Sequence, residues 1–274
     1  MKSSPPLFVA LSVAIALVVG SACSESKVWG SLLVLSAEDG SDLAATYLRP
    51  PGPERAPVFI LLHQPGTARS RSDFDSLWNS LSEQGVGLLA PDLRGHGESE
   101  GSTDYGALSL DPAGYPGDLD HWLSFLANRS DDGDPLDMSR IAIIGLSTSA
   151  SLAAAALGRG RAQCAVAVSA KVSEVNALAA GFGSGDDDDS ADGDDDDSAA
   201  FEGEGVDPSL ELATIRWLYS REDEPVASDN AVLSAATVGD SDLLEFAGDA
   251  HGVELLWESD EANEAVIAWC LSRL

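Results

Sequence analysis

Arg140-Ile-Ala-Ile-Ile-Gly145-Leu146-Ser147-Thr148-Ser149 is a short apolar run, a glycine and then a serine among small residues, just where an alanine-rich segment begins. The run suits a strand buried on both faces and Ser149 to Leu157 suits a helix, so Ser147 falls on a sharp strand-to-helix turn. Acyl-transfer chemistry needs that shape. A serine hydroxyl becomes a nucleophile when a neighbouring base takes its proton, and a tight turn exposes it while aiming backbone N–H groups at the developing oxyanion. The usual pattern is G-x-S-x-G, and Ser149 stands here in place of the second glycine. A Gly-Leu-Ser turn alone serves equally well as a helix N-cap, so partner residues must decide.

Outward from this turn, similar apolar runs recur at Val58–Leu62, Val86–Ala90, Ala165–Val168, Ile215–Tyr219 and Leu243–Phe246. Helical patterns occupy Ser72–Glu83, Gly117–Asn128 and Glu261–Leu274. Before them, Leu32–Leu35 and Leu43–Leu48 flank the turn residues Glu38-Asp39-Gly40 and read as an antiparallel strand pair. This alternation predicts the α/β class: a mostly parallel central sheet flanked by helices on both faces, with an antiparallel N-terminal strand pair. Such sheets place ligands at the carboxyl ends of their strands.

A serine nucleophile needs a base and an acid. In the chain order Ser, Asp, His the base follows the serine, and of four histidines only His251 does. It lies in Gly248-Asp-Ala-His251-Gly252, after the run at Leu243–Phe246. Asp223 follows the run at Ile215–Tyr219, where a carboxylate can orient an imidazole and stabilise its protonated form; Glu222, Glu224 and Asp249 are the alternatives. His63, His96 and His121 all precede Ser147.

With these residues in place, the chain from about Leu32 to Leu274 resembles the α/β-hydrolase superfamily, within it the dienelactone hydrolase-like esterases and the acylaminoacyl- or prolyl-oligopeptidase-like peptidases. Leu61-Leu-His63-Gln64-Pro-Gly66 resembles the family's oxyanion loop, and Ala90-Pro-Asp92-Leu-Arg94-Gly95-His96-Gly97-Glu98-Ser99 its D-x-R-G-x-G-x-S turn. Asp137-Met-Ser-Arg140 through Gly145 resembles the run into its nucleophile elbow. The resemblance implies Ser147 as nucleophile, Asp223 as acid, His251 as base, and an oxyanion hole from the backbone N–H groups of Gln64 and Thr148. It implies a hydrolase of small-molecule esters of small or medium acyl groups; peptide or amide cleavage is the neighbouring alternative. A third alternative is a non-catalytic envelope protein that keeps the scaffold and uses the acidic stretch at 181–205 to bind cations or a partner. No cofactor is expected, and with no CxxC and no His/Cys cluster in the sequence no metal site is expected either. His96 is expected as a hydrogen-bonded loop residue and His121 as a packing or surface residue.

The chain ends and the charge complete the expectations. Lys2, the apolar run Leu7–Val19 and the small residues Gly20-Ser21-Ala22 before Cys23 have the order of a signal peptide over 1–22, too short to span a bilayer. Cys23 resembles a lipobox cysteine, although Gly20 replaces the usual leucine. The expectation is an exported protein, lipid-anchored to a bacterial envelope and tethered over 23–31, or otherwise periplasmic or secreted, with a domain at 32–274. Cys164 and Cys270 are expected as small buried side chains or as a pair.

Of 274 residues, 46 are acidic and 15 basic, for a net charge of -31. That excludes the electrostatic footprint of a nucleic-acid binder. Eleven of the acids lie in a low-complexity stretch at 181–205, expected as a solvated loop because its like charges repel. Asp188, Ser190, Asp192 and Gly193 imitate the opening of a calcium loop, but Ala199 takes the position of its bidentate glutamate. A lipase-like apolar lid is not expected there. Deleting 186–197 is expected to raise turnover of anionic esters at low salt more than that of neutral ones. Equal effects in a paired assay would show that the loop is only a tether.

Overall fold

The computed structural model describes residues 30–104, 108, 111, 113–182, 205–237, 239 and 241–274. The signal peptide, Cys23 and the repeated aspartates of the acidic stretch lie outside the described residues.

Among the described residues, eight strands form one sheet: β1 (Ser31–Ser36), β2 (Asp42–Leu48), β3 (Ala56–Leu62), β4 (Gly87–Pro91), β5 (Leu136–Leu146), β6 (Cys164–Val168), β7 (Ile215–Ser220) and β8 (Asp242–Phe246). Their order across the sheet is β1-β2-β4-β3-β5-β6-β7-β8. β1 and β2 pair antiparallel, as do β2 and β4, and every pairing from β4 to β8 is parallel. The predicted α/β architecture with its antiparallel opening is thus the one observed. The chain runs outward from β3 to β4, then returns to place β5 on the other side of β3. That reversal opens a crevice at the carboxyl ends of β3 and β5.

The central strands are apolar on both faces because both are covered. Val58, Ile60 and Leu62 of β3 face one core; Phe59 and Leu61 face the other. The first core is closed by α2 (Tyr115–Asp131), α3 (Thr148–Gly158), α4 (Val172–Gly181) and α5 (Val226–Ala236) through Trp122, Leu126, Val175, Leu178 and Leu233. The second is closed by α1 (Asp75–Ser82), α6 (Val253–Glu258) and α7 (Asp260–Arg273) through Leu77, Trp78, Leu255, Val266 and Trp269. Cys164 on β6 and Cys270 on α7 meet in this second core as free thiols with their Sγ atoms 3.8 Å apart. Burial, then the neighbouring thiol, pushes the Cys270 pKa well up.

α3 is buried over its whole length, wedged between β5, β6 and the helices α2 and α4. Between the buried Leu152 and Leu157 it carries only small side chains, Ala153 to Ala156 in succession, which let it lie close to its neighbours on every side.

Three helices, α4, α5 and α6, were not legible as such in the sequence. α4 also moves the start of the acidic stretch: Gly181 is its last residue, and Phe182 is buried beneath the Arg161 guanidinium, 5.9 Å from the ring centre. At the other end, Asn176 donates to the Gly205 carbonyl at 2.8 Å and accepts the Asp207 N–H at 3.0 Å. Both edges of the 181–205 stretch therefore belong to the folded body.

Ala154→Leu keeps helix propensity but adds volume where α3 has none to give. It is expected to destabilise by roughly 1–3 kcal/mol, read as a lowered midpoint in urea unfolding.

Candidate active site

The turn at Ser147 has φ 57° and ψ -125°, outside the comfortable range for a residue with a Cβ. The surroundings enforce it. The Ser147 N–H donates to the Val168 carbonyl at the end of β6 at 2.8 Å, while its carbonyl accepts the Ala150 N–H at 2.8 Å. Gly145 lets the chain turn back on itself, since a Cβ there would lie 1.9 Å from the Ser149 carbonyl oxygen. Ser149 has a use for its extra atoms: its hydroxyl donates to the His63 carbonyl at 2.7 Å, bolting the elbow to the end of β3. The departure from G-x-S-x-G thus adds a tie between the two loops that flank the crevice.

The candidate partners arrive from two further strand ends. The loop after β7 carries Asp223 and the loop after β8 carries His251. Two backbone hydrogen bonds hold these loops together, Arg221 N–H to the Phe246 carbonyl at 2.9 Å and Glu222 N–H to the Gly248 carbonyl at 3.0 Å. His251 Nδ1 lies 2.7 Å from Asp223 Oδ2, and its Nε2 lies 2.8 Å from Ser147 Oγ. A carboxylate on Nδ1 makes that nitrogen the donor, which leaves Nε2 free to accept the serine proton. Glu222, Glu224 and Asp249 are exposed, so of the four acids weighed from the sequence it is Asp223 that meets the imidazole.

Gln64 sits just past the end of β3 and is buried. Thr148, also buried, is the first residue of α3, where the opening N–H groups of a helix have no partner within it and the helix dipole favours negative charge. These are the two residues expected to supply an oxyanion hole. Missing from the sequence reading were Ser169 and the Gln64 side chain. Ser169, at φ 62° past β6, accepts the Gly252 N–H at 3.0 Å, and Gln64 Oε1 accepts the Val253 N–H at 2.8 Å.

The other two loop histidines are structural. His63 Nδ1 bonds the Gln64 carbonyl at 2.8 Å and its Nε2 accepts the Leu93 N–H at 2.9 Å. His96 Nδ1 bonds the Arg94 carbonyl at 2.7 Å and its Nε2 accepts the Gly66 N–H at 2.9 Å. Together they fasten the 63–66 loop to the turn after β4. Asp92 organises that turn by accepting the Arg71 N–H at 2.7 Å and the Glu98 N–H at 2.8 Å, and by pairing with the Arg71 guanidinium. Burial pulls the His63 pKa down to about 4.

Residues 59–268 match the alpha/beta hydrolase family. No curated protein sequence matches the chain. Among solved structures, the chain is similar to an esterase of Pyrococcus furiosus, at 19% identity and TM-score 0.62, over 90% of this chain and 93% of that one. It is similar to an enol-lactonase of Burkholderia xenovorans LB400 at 15% identity and TM-score 0.57, covering 86% and 99%. An esterase of Pyrobaculum calidifontis is similar at 18% identity and TM-score 0.56, covering 88% and 84%.

A histidine whose folded pKa lies below its ordinary value of 6.5 takes up its proton more readily when unfolded, so stability falls as pH drops from 6.5 towards about 4. Asp73 and Asp118, both pushed up to about 6 by burial, act in the opposite sense over the same range. A variant isolates the histidine. The stability difference between wild type and His63→Asn is expected to narrow as pH falls from 6.5 to 4 in urea melts; a constant difference would contradict it.

Proposed function

The chain belongs to the alpha/beta hydrolase family, which matches it over residues 59–268, and on that footing we propose that it is a serine hydrolase of neutral carboxylic esters with small or medium acyl groups. The observation that carries this reading is the continuous Asp223–His251–Ser147 relay at 2.7 and 2.8 Å. Ser147 Oγ attacks the ester carbonyl carbon as its proton passes to His251 Nε2. The carbonyl electron pair moves onto oxygen, facing the N–H groups of Thr148 and Gln64. Collapse of the tetrahedral intermediate expels the alcohol with the proton from His251. Water, deprotonated by the same nitrogen, then attacks the acyl-enzyme and releases the acid. Asp223 keeps the imidazole oriented and offsets its charge in both halves.

The esterases and the enol-lactonase among the structural neighbours support an ester or lactone over an amide, in keeping with the dienelactone hydrolase-like motifs. Export and anchoring through Cys23 to a bacterial envelope belong to the same proposal, supported by the order of residues 2–23.

Ser147→Ala is expected to lower kcat/KM on a chromogenic short-chain ester by at least about 10⁴-fold, and a fluorophosphonate probe is expected to label wild type at Ser147. An alanine variant as fast as wild type would refute the assignment. An assay panel pairing acyl esters with aminoacyl amides separates esterase from peptidase.

A further inference from the structure

The His251-Gly252-Val253 segment crosses closely over the end of β3, and the contact is made by a side chain outside the triad. Gln64 Oε1 accepts the Val253 N–H at 2.8 Å across 189 residues of sequence. A Cβ at Gly252 would lie only 2.0 Å from that oxygen, and Gly252 itself has φ 56°. The amide oxygen thus fills the space that any side chain at 252 would need. Because a backbone N–H can only donate, the group facing it is the amide oxygen and not the nitrogen. The preceding N–H, that of Gly252, goes to Ser169 Oγ at 3.0 Å. Two successive N–H groups after the histidine are therefore held by oxygens from the ends of two different strands, β3 and β6.

We propose that Gln64 is a positioning residue that couples the base to the oxyanion hole. The proposal rests on the triad reading above and adds a role for this side chain. Its amide oxygen fixes the height of the His251 loop, while its own main-chain N–H belongs to the loop that faces the substrate oxygen. One residue thereby sets two distances at once, Nε2 to Ser147 Oγ and the hole to the elbow. Gly252 brings no side chain of its own, so between His251 and the buried Val253 side chain the segment is positioned by these two hydrogen bonds. The Val253 N–H, buried with its residue, loses its acceptor when Gln64 does.

The test compares Gln64→Met, which keeps length but removes the acceptor, with Gln64→Glu, which keeps the acceptor and adds a negative charge beside the histidine loop. Both are made in the full chain and assayed on a neutral chromogenic short-chain ester, with thermal melts and pH–rate profiles. Gln64→Met is expected to lose on the order of 10–100-fold in kcat with KM within about threefold, because a loosened base fails in the reaction step and not in binding. Gln64→Glu is expected to recover most of that kcat and to move the acid limb of kcat/KM to higher pH, since a nearby carboxylate favours the protonated imidazole. Wild-type kcat in Gln64→Met would overturn the proposal, as would equal losses in both variants with no movement of the acid limb. If Gln64→Met does not fold, the limb in Gln64→Glu decides alone: shifted it supports the coupling, unshifted it overturns it. Ser147→Ala measured alongside separates the two levels. Full activity there would sink the triad reading itself, whereas a dead Ser147→Ala with an active Gln64→Met would sink only the role of Gln64.

Discussion

Everything at the carboxyl edge of the sheet depends on holding Ser147 at a positive φ. A serine in that conformation is strained at a cost of order 1–3 kcal/mol, and it stays there only if its neighbours allow nothing else. They do so from three directions. β6 accepts its N–H, the first turn of α3 takes its carbonyl, and Gly145 leaves room for the Ser149 backbone to pass. The strain has a chemical return. The same turn that brings the hydroxyl to His251 puts it at the N-terminus of α3, whose first N–H groups have no partner within the helix and favour negative charge.

The rigidity behind that turn comes from small residues and buried polar ties. α3 approaches the sheet closely because Ala150 and Ala153 to Ala156 are among its buried positions, and at its start the Ser149 hydroxyl reaches the His63 carbonyl. His63 and His96, with ring centres 5.4 Å apart, then transmit the anchoring to the turn after β4, where Asp92 gathers backbone N–H groups. The elbow, the 63–66 loop and the β4 turn form one hydrogen-bonded block. The two loops with Asp223 and His251 are joined to each other by backbone bonds and reach this block through Gln64 and Ser169.

What could be read in advance follows from what each element demands of local sequence. Strands buried on both faces must be short apolar runs, so β3 to β7 were visible, and chain order singled out His251. Helices α4 and α5 were not, because Val-Ser-Glu-Val-Asn-Ala and Val-Ala-Ser-Asp-Asn-Ala mix small polar residues with apolar ones and give no clear 3.6-residue stripe. Asp223 could be preferred but not separated from Glu222 and Glu224 by composition; only the direction in which the loop after β7 turns its side chains does that. The Gln64 contact had no local signal at all, since its partner is 189 residues away and the glycine that makes room for it looks like any turn glycine.

Charge near the site follows a similar logic of prior commitment. Arg69, three residues beyond Gly66, is paired with Glu254 and lies 5.3 Å over the Trp257 ring; Arg221, two residues before Asp223, is paired with Glu245. These two cations brace the loops and are already neutralised, while the chain as a whole carries -31. An anionic acyl group entering the crevice would therefore meet a negative field without an unpaired guanidinium from either residue to receive it. A neutral ester would meet no such barrier, and under the proposed mechanism its charge would arise only in the transition state, at an oxygen facing the N–H groups of Thr148 and Gln64. Screening over about 8 Å at physiological salt weakens the distant acids but leaves N–H dipoles in contact with the substrate untouched, so under the proposed mechanism a preference for neutral substrates would be set outside the site and stabilisation of the oxyanion inside it.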